Sequence, residues 1–159
     1  MAEPWSVRNA CVDDAAVVGV LLFDFNAEFD TPTPDAAEFA SRFGRLLGRH
    51  DVLVLLAEGV NGESVGFAYL TLRPTPYFDG PLAQLEELYV RPAARDRGVG
   101  TALITEAVQQ VRARNAREML INVDEVDTDA RRFYERHEFF NIEPGENYRM
   151  LCYLRVFST

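Results

Sequence analysis

Leu85-Glu86-Glu87-Leu88-Tyr89-Val90 runs through Arg91-Pro92-Ala93-Ala94 into Arg95-Asp96-Arg97-Gly98-Val99-Gly100-Thr101, and a helical repeat begins at once. Leu103, Ile104, Ala107, Val108 and Val111 recur at the spacing of one apolar helix face, so the order is strand, glycine turn, helix. The first turn of a helix leaves backbone N–H groups without intrahelical acceptors, and the helix dipole adds partial positive charge there. Gly98 and Gly100 carry no β-carbon and let a pyrophosphate approach the backbone, while Arg95 and Arg97 add positive charge. Asp96 would offer its amide with its side chain turned outward. A diphosphate ligand held by residues 95 to 101 is the expectation. A Walker loop would need Lys and then Ser or Thr after the second glycine, where Thr101-Ala102 stands, and a dinucleotide fingerprint would need a third glycine.

Outward from this turn, the chain alternates elements with short turn signals. Ser6 to Ala10 predicts a first strand. Asp13 can cap a helix whose buried face is Val17, Val18, Leu21, Leu22 and Phe25, and Asp24 to Thr33 reads as an irregular acidic segment. Thr33-Pro34 predicts the start of a second helix, with Phe39, Phe43, Leu46 and Leu47 on one side. Asp51 to Glu58 and Ser64 to Arg73 predict an antiparallel pair turning at Asn61-Gly62. A loop, Pro74 to Pro81, leads to a strand from Gln84 to Val90. Glu118 to Val123 should lie parallel to that strand, with the intervening helix as the crossover.

The 159 residues are 48% hydrophobic, enough for one packed core and one domain spanning 1–159. A formal net charge of -9 opposes nucleic acid and suits a cationic substrate. Cys11 and Cys152 form no disulfide framework or metal pattern and are expected to be reduced, buried thiols. Ala15 to Phe23 is flanked by Asp13, Asp14 and Asp24 and is too short to span a bilayer, so a cytoplasmic protein without membrane contact is expected. His50 and His137 have no spacing that suggests a metal site.

Leu88-Tyr89-Val90, Pro92 and Arg95-x-x-Gly98-x-Gly100 resemble motif A of the GNAT superfamily of acyl-CoA N-acyltransferases, and Ala130-Arg131-Arg132-Phe133-Tyr134 through Phe139 resembles that family's later helix. The resemblance implies an α/β fold with a mixed sheet of about six or seven strands, flanked by about four helices. It also implies that the two parallel strands splay to admit acetyl-CoA, with Leu88, Tyr89 and Val90 pairing with pantetheine and the turn holding the pyrophosphate. A homodimer is common in such proteins. The strand Leu85 to Val90 is similar to that of spermidine/spermine acetyltransferases, where the glutamate after the leucine is the general base, which implies Glu86, with Glu87 or a water chain as the alternatives. Strict alternation lets one glutamate of the pair face the cleft and sets Glu86 with Gln84, Leu88 and Val90, opposite Glu87 and Tyr89. Tyr134 occupies the family's general-acid position.

Departures from the pattern carry their own expectations. Asp127 stands where the family often has a pantetheine-binding asparagine; ionised, it accepts hydrogen bonds only, and capping the later helix is the alternative. Glu138 stands where such relatives usually have glycine, so a left-handed conformation there costs roughly 1 kcal/mol or more and a local change is expected. Tyr77, Phe78, Glu146 and Tyr148 could hold an alkylammonium by ion pairing and cation–π contact. The expected function is transfer of an acetyl group from acetyl-CoA to a small primary amine such as a polyamine, amino acid or aminoglycoside. A non-catalytic coenzyme A binding or sensing module is the alternative, and an α/β interaction domain that binds nothing at the glycine turn is a third reading.

Overall fold

The structure, a computed structural model, describes residues 4–158 and divides into two compact units, Met1–Ile121 and Asn122–Thr159. In the first unit a five-stranded sheet has its strands in chain order: β1 (Trp5–Asn9), β2 (Val52–Gly59), β3 (Ser64–Arg73), β4 (Leu82–Val90) and β5 (Met119–Ile121). Neighbours are antiparallel except β4 and β5, which are parallel and pair only from Ala83↔Met119 to Leu85↔Ile121. Three helices accompany the sheet, α1 (Ala15–Glu28), α2 (Ala36–Leu46) and the crossover α3 (Val99–Ala113).

The period of two along each strand supplies two buried faces. Val54, Leu56, Phe67 and Tyr89 pack with Val18, Leu21 and Leu22 of α1 and Phe43 and Leu47 at α2. The alternate residues Leu55, Ala57, Ala68, Leu70 and Leu85 are fully buried, as are Leu103 and Ala107 of α3, which packs on β2, β3 and β4. At Gly19 a β-carbon would stand 2.7 Å from the Ala40 amide nitrogen, so the glycine is what lets α1 and α2 approach this closely.

The second unit contains α4 (Thr128–Arg136). Asp127 caps it by accepting from the Ala130 N–H at 3.0 Å, and the helix closes through Glu138 at φ +69°, with the Phe139 amide donating to the Tyr134 carbonyl. The left-handed helix end is therefore kept in a non-glycine residue, without the local change expected at Glu138. No helix among the described residues is long and apolar enough to cross a membrane.

Several expectations need correction. The sheet has five strands among the described residues, fewer than six or seven, because Met150–Phe157, for all its strand-like composition, has no ladder partner; its one backbone bond is from Met150 N–H to the Asn141 carbonyl. The second helix starts at Ala36, since the Asp35 carboxylate takes the Glu38 N–H at 2.8 Å and caps better than Thr33. Asp24 to Glu28 is helical: Phe25 packs at a tilt against Tyr89, and Asp24 and Glu28 are paired with Arg91 and Arg95, which a reading of local acidity could not foresee. Val17 is exposed, outside the buried face of α1, and both cysteines are exposed thiols.

Candidate active site

Gly98 is the N-cap of α3 at φ +84°, a conformation that L side chains rarely adopt, and a β-carbon on it would meet the Trp5 ring at 3.2 Å. The first helical bond runs from Ala102 N–H to the Gly98 carbonyl. The amides of Gly98, Val99, Gly100 and Thr101 have no acceptor among the described residues, so four donors converge at the positive end of a helix. That donor set fits a diphosphate. Arg97 is exposed beside it, and so is Asp96, in the left-handed region at φ +58°. Arg95 is already engaged: its guanidinium pairs with Glu28 at 2.6 Å, donates to the Val90 carbonyl and lies over the Tyr89 ring. A hollow of about 100 Å³ borders the turn between Trp5, Glu63, Arg97 and Val99. The indole N–H of Trp5 is buried without an acceptor among the described residues.

Upstream of the turn, β4 runs from Glu86 to Val90 beyond its last pair with β5, leaving Leu88, Tyr89 and Val90 past the parallel ladder. The β3–β4 register slips here: Tyr69 opposes Glu87 while the next residue, Leu70, opposes Leu85, so Glu86 is the extra residue of a bulge. Strict alternation fails for that reason. Leu85 and Leu88, three apart, lie opposite Leu70 and Ala68 on the α3 side, and Glu87 shares the α1–α2 side with Tyr69 and Tyr89. Glu86 also turns toward that side, where the Thr71 hydroxyl donates to its carboxylate at 2.6 Å. The two carboxylates therefore share a face, contrary to the expected division.

Their environments differ. Glu86 is exposed; Glu87 is half-buried, and desolvation, reinforced by the negative charge of Glu86, pushes its carboxyl up to about 7. Burial, then Glu86 and Glu87, raises the Tyr69 phenol as well, and its ring meets Phe43 edge-on. Thr71, Tyr69 and the raised carboxyl of Glu87 escaped the sequence reading, which named Glu87 only as an alternative base. The legible signal was the slip of the apolar phase between Leu85 and Leu88, which a continuous alternation does not produce.

In the loop between β3 and β4, Tyr77 is almost fully exposed and Phe78 is half-buried. The remaining expected site residues belong to the second unit. The Asp127 carboxylate is occupied as a helix cap. Tyr134 is half-buried in an aromatic group, 5.3 Å from Phe133 and 5.6 Å from Phe139 between ring centres. Glu146 and Tyr148 are exposed on the tail, which Arg149 fastens to Glu125 by an ion pair.

Residues 11–139 match the family model described as the acetyltransferase (GNAT) family. A crystal structure of a candidate acetyltransferase from Arthrobacter sp. FB24 superimposes with a TM-score of 0.88 at 47% identity, covering 96% of each chain. An aminoglycoside N(6')-acetyltransferase type 1 of Stenotrophomonas maltophilia is 31% identical over 154 residues, 94% of this chain and 95% of that protein. The protein of the same name from Klebsiella aerogenes is 43% identical over 67 residues, which span 41% of this chain and only 44% of the relative. Strand, glycine turn and crossover helix, together with a family match over most of the length, establish that this chain belongs to the GNAT family of acetyltransferases.

Proposed function

We propose that the protein is an acetyl-CoA dependent N-acetyltransferase acting on a small primary amine, with Glu87 rather than Glu86 as the general base. The observation that carries this reading is the half-buried Glu87 carboxyl beside the β4 bulge, where desolvation and then the charge of Glu86 push it up to about 7. An ammonium has no lone pair with which to attack, and a base is most effective when its pKa lies near the operating pH. The amides of Gly98 to Thr101 would hold the pyrophosphate, with Arg97 beside them, and β4 past Glu86 would pair with pantetheine. When bound, acetyl-CoA supplies the acetyl thioester. Glu87 takes the proton from the attacking nitrogen, and Tyr134, assigned on its motif, gives a proton to the departing thiolate.

The chain's acidity and the paired carboxylates Glu86 and Glu87 support a cationic acceptor. The aminoglycoside acetyltransferase relatives support one that carries several amines, and Tyr77, Phe78, Glu146 and Tyr148 are its proposed flanking contacts. The homodimer is also a proposal, supported by the exposed Leu151, Tyr153, Leu154, Val156 and Phe157, and equilibrium sedimentation tests it.

Release of coenzyme A thiol across polyamines, amino acids and aminoglycosides tests the function. Turnover with at least one amine is expected, with a loss of about 10²-fold or more in Glu87→Gln and a smaller loss in Tyr134→Phe. Thermal stabilisation by coenzyme A without turnover on any amine would replace the enzyme by a sensing module.

A further inference from the structure

The bulge at Glu86 does more than bend β4. In a regular strand, neighbouring side chains point to opposite faces, so adjacent glutamates would be separated by the sheet. Here the extra residue places both on the α1–α2 side, and the Thr71 hydroxyl, one strand away, holds the Glu86 carboxylate at 2.6 Å. The bond keeps the exposed Glu86 carboxylate on the same face as Glu87, whose carboxyl its negative charge raises.

The groups around Glu87 leave Glu86 as the charge that matters. Tyr69 faces it from β3 and Tyr89 lies two residues further along its own strand, and both phenols are raised and neutral near pH 7. The cations near those tyrosines are committed elsewhere: Arg49 pairs with Asp51, Arg91 with Asp24 and Arg95 with Glu28, the last two carboxylates coming from α1. From α2 it is the Phe43 ring that meets Tyr69, and β5 pairs with β4 through Met119, Leu120 and Ile121, which carry no charge. Among the described residues no cation offsets the effect of Glu86 on Glu87.

We infer that Glu86, locked by Thr71 on the β4 bulge, is a positioning residue that sets the pH at which its neighbour Glu87 can accept a proton. The inference rests on the reading of Glu87 as the base and assigns the regulation of that base to a second carboxylate and a threonine on the adjoining strand. It also gives Glu86 a part that needs no contact with the reacting nitrogen.

The test is the pH dependence of kcat/KM for wild type, Glu86→Gln, Thr71→Val and Glu87→Gln with one amine, taken as ratios so that the amine's own titration cancels. Glu86→Gln is expected to move the acidic limb down by about half a unit or more, because a like charge has been removed. Thr71→Val should move it the same way by less, and Glu87→Gln should abolish it. Carbon-13 titration of the glutamate carboxyls in the folded protein reads Glu87 without requiring turnover, and the same downward shift in Glu86→Gln is expected there. An unmoved Glu87 titration in Glu86→Gln overturns the inference while leaving the base assignment standing. A limb that survives in Glu87→Gln overturns the base assignment, and this inference with it.

Discussion

Glu87 sits where burial and a neighbouring anion both penalise its charged form, and this makes a stability statement independent of catalysis. Its folded-state value of about 7 lies above the ordinary 4.5, so the folded protein binds this proton more tightly than the unfolded chain. The associated stability is fully present below pH 4.5 and is lost as pH rises through 7. Glutamine is neutral at every pH and escapes the loss. Glu87→Gln is therefore expected to stabilise the protein at pH 8 by roughly 1–2 kcal/mol, after allowing for the partial exposure of the group, and to change little at pH 4.5. Urea melts at the two pH values measure this, and equal melts at pH 8 would mean that the carboxyl is not elevated.

At the level of elements, the glycine turn depends on a partner far away in sequence. Trp5, on β1, lies against Gly98, where the left-handed backbone and the ring together exclude a side chain. Gly98→Ala is expected to cost about 1–2 kcal/mol of stability from the backbone alone and to weaken coenzyme A binding, as read by calorimetry. The chain contains one tryptophan, so its fluorescence reports on this turn; coenzyme A binding should change it, and an unchanged spectrum at saturation would place the nucleotide elsewhere. The turn and the face of α3 were legible because they follow from local spacing and glycine chemistry, whereas Trp5 behind Gly98 was not. The two glutamates were legible as candidates, but their sharing of one face was not, since a bulge is a matter of register between strands. The extension of α1 through Glu28 was hidden for a similar reason: Arg91 and Arg95 answer its acidic end from β4's far side of the sequence.

Across the whole molecule, order and direction of the strands were readable because a hairpin at Asn61-Gly62 and a crossover helix leave few topologies, while the fate of the tail was not, since a strand needs an edge to pair with. The net charge of -9 has a consequence that no single residue carries. In the proposed reaction it would attract a multiply charged amine and repel acetyl-CoA, so the field would help one substrate and hinder the other, with the cluster of Gly98 to Thr101 amides offsetting the second effect locally. Raising ionic strength from about 20 mM to about 200 mM shortens the screening length severalfold and should weaken both influences. The KM of a polyamine or aminoglycoside acceptor is expected to rise several-fold across that range, while the KM of acetyl-CoA stays flat or falls. Initial-rate measurements with each substrate varied at saturating levels of the other separate the two. A singly charged amine should show a weaker rise than one with three or four ammonium groups, because attraction to the acidic surface scales with the charge of the ligand. If acceptors of every charge responded alike, the protein's field would have no part in choosing the amine, and selectivity would have to reside in short-range contacts alone.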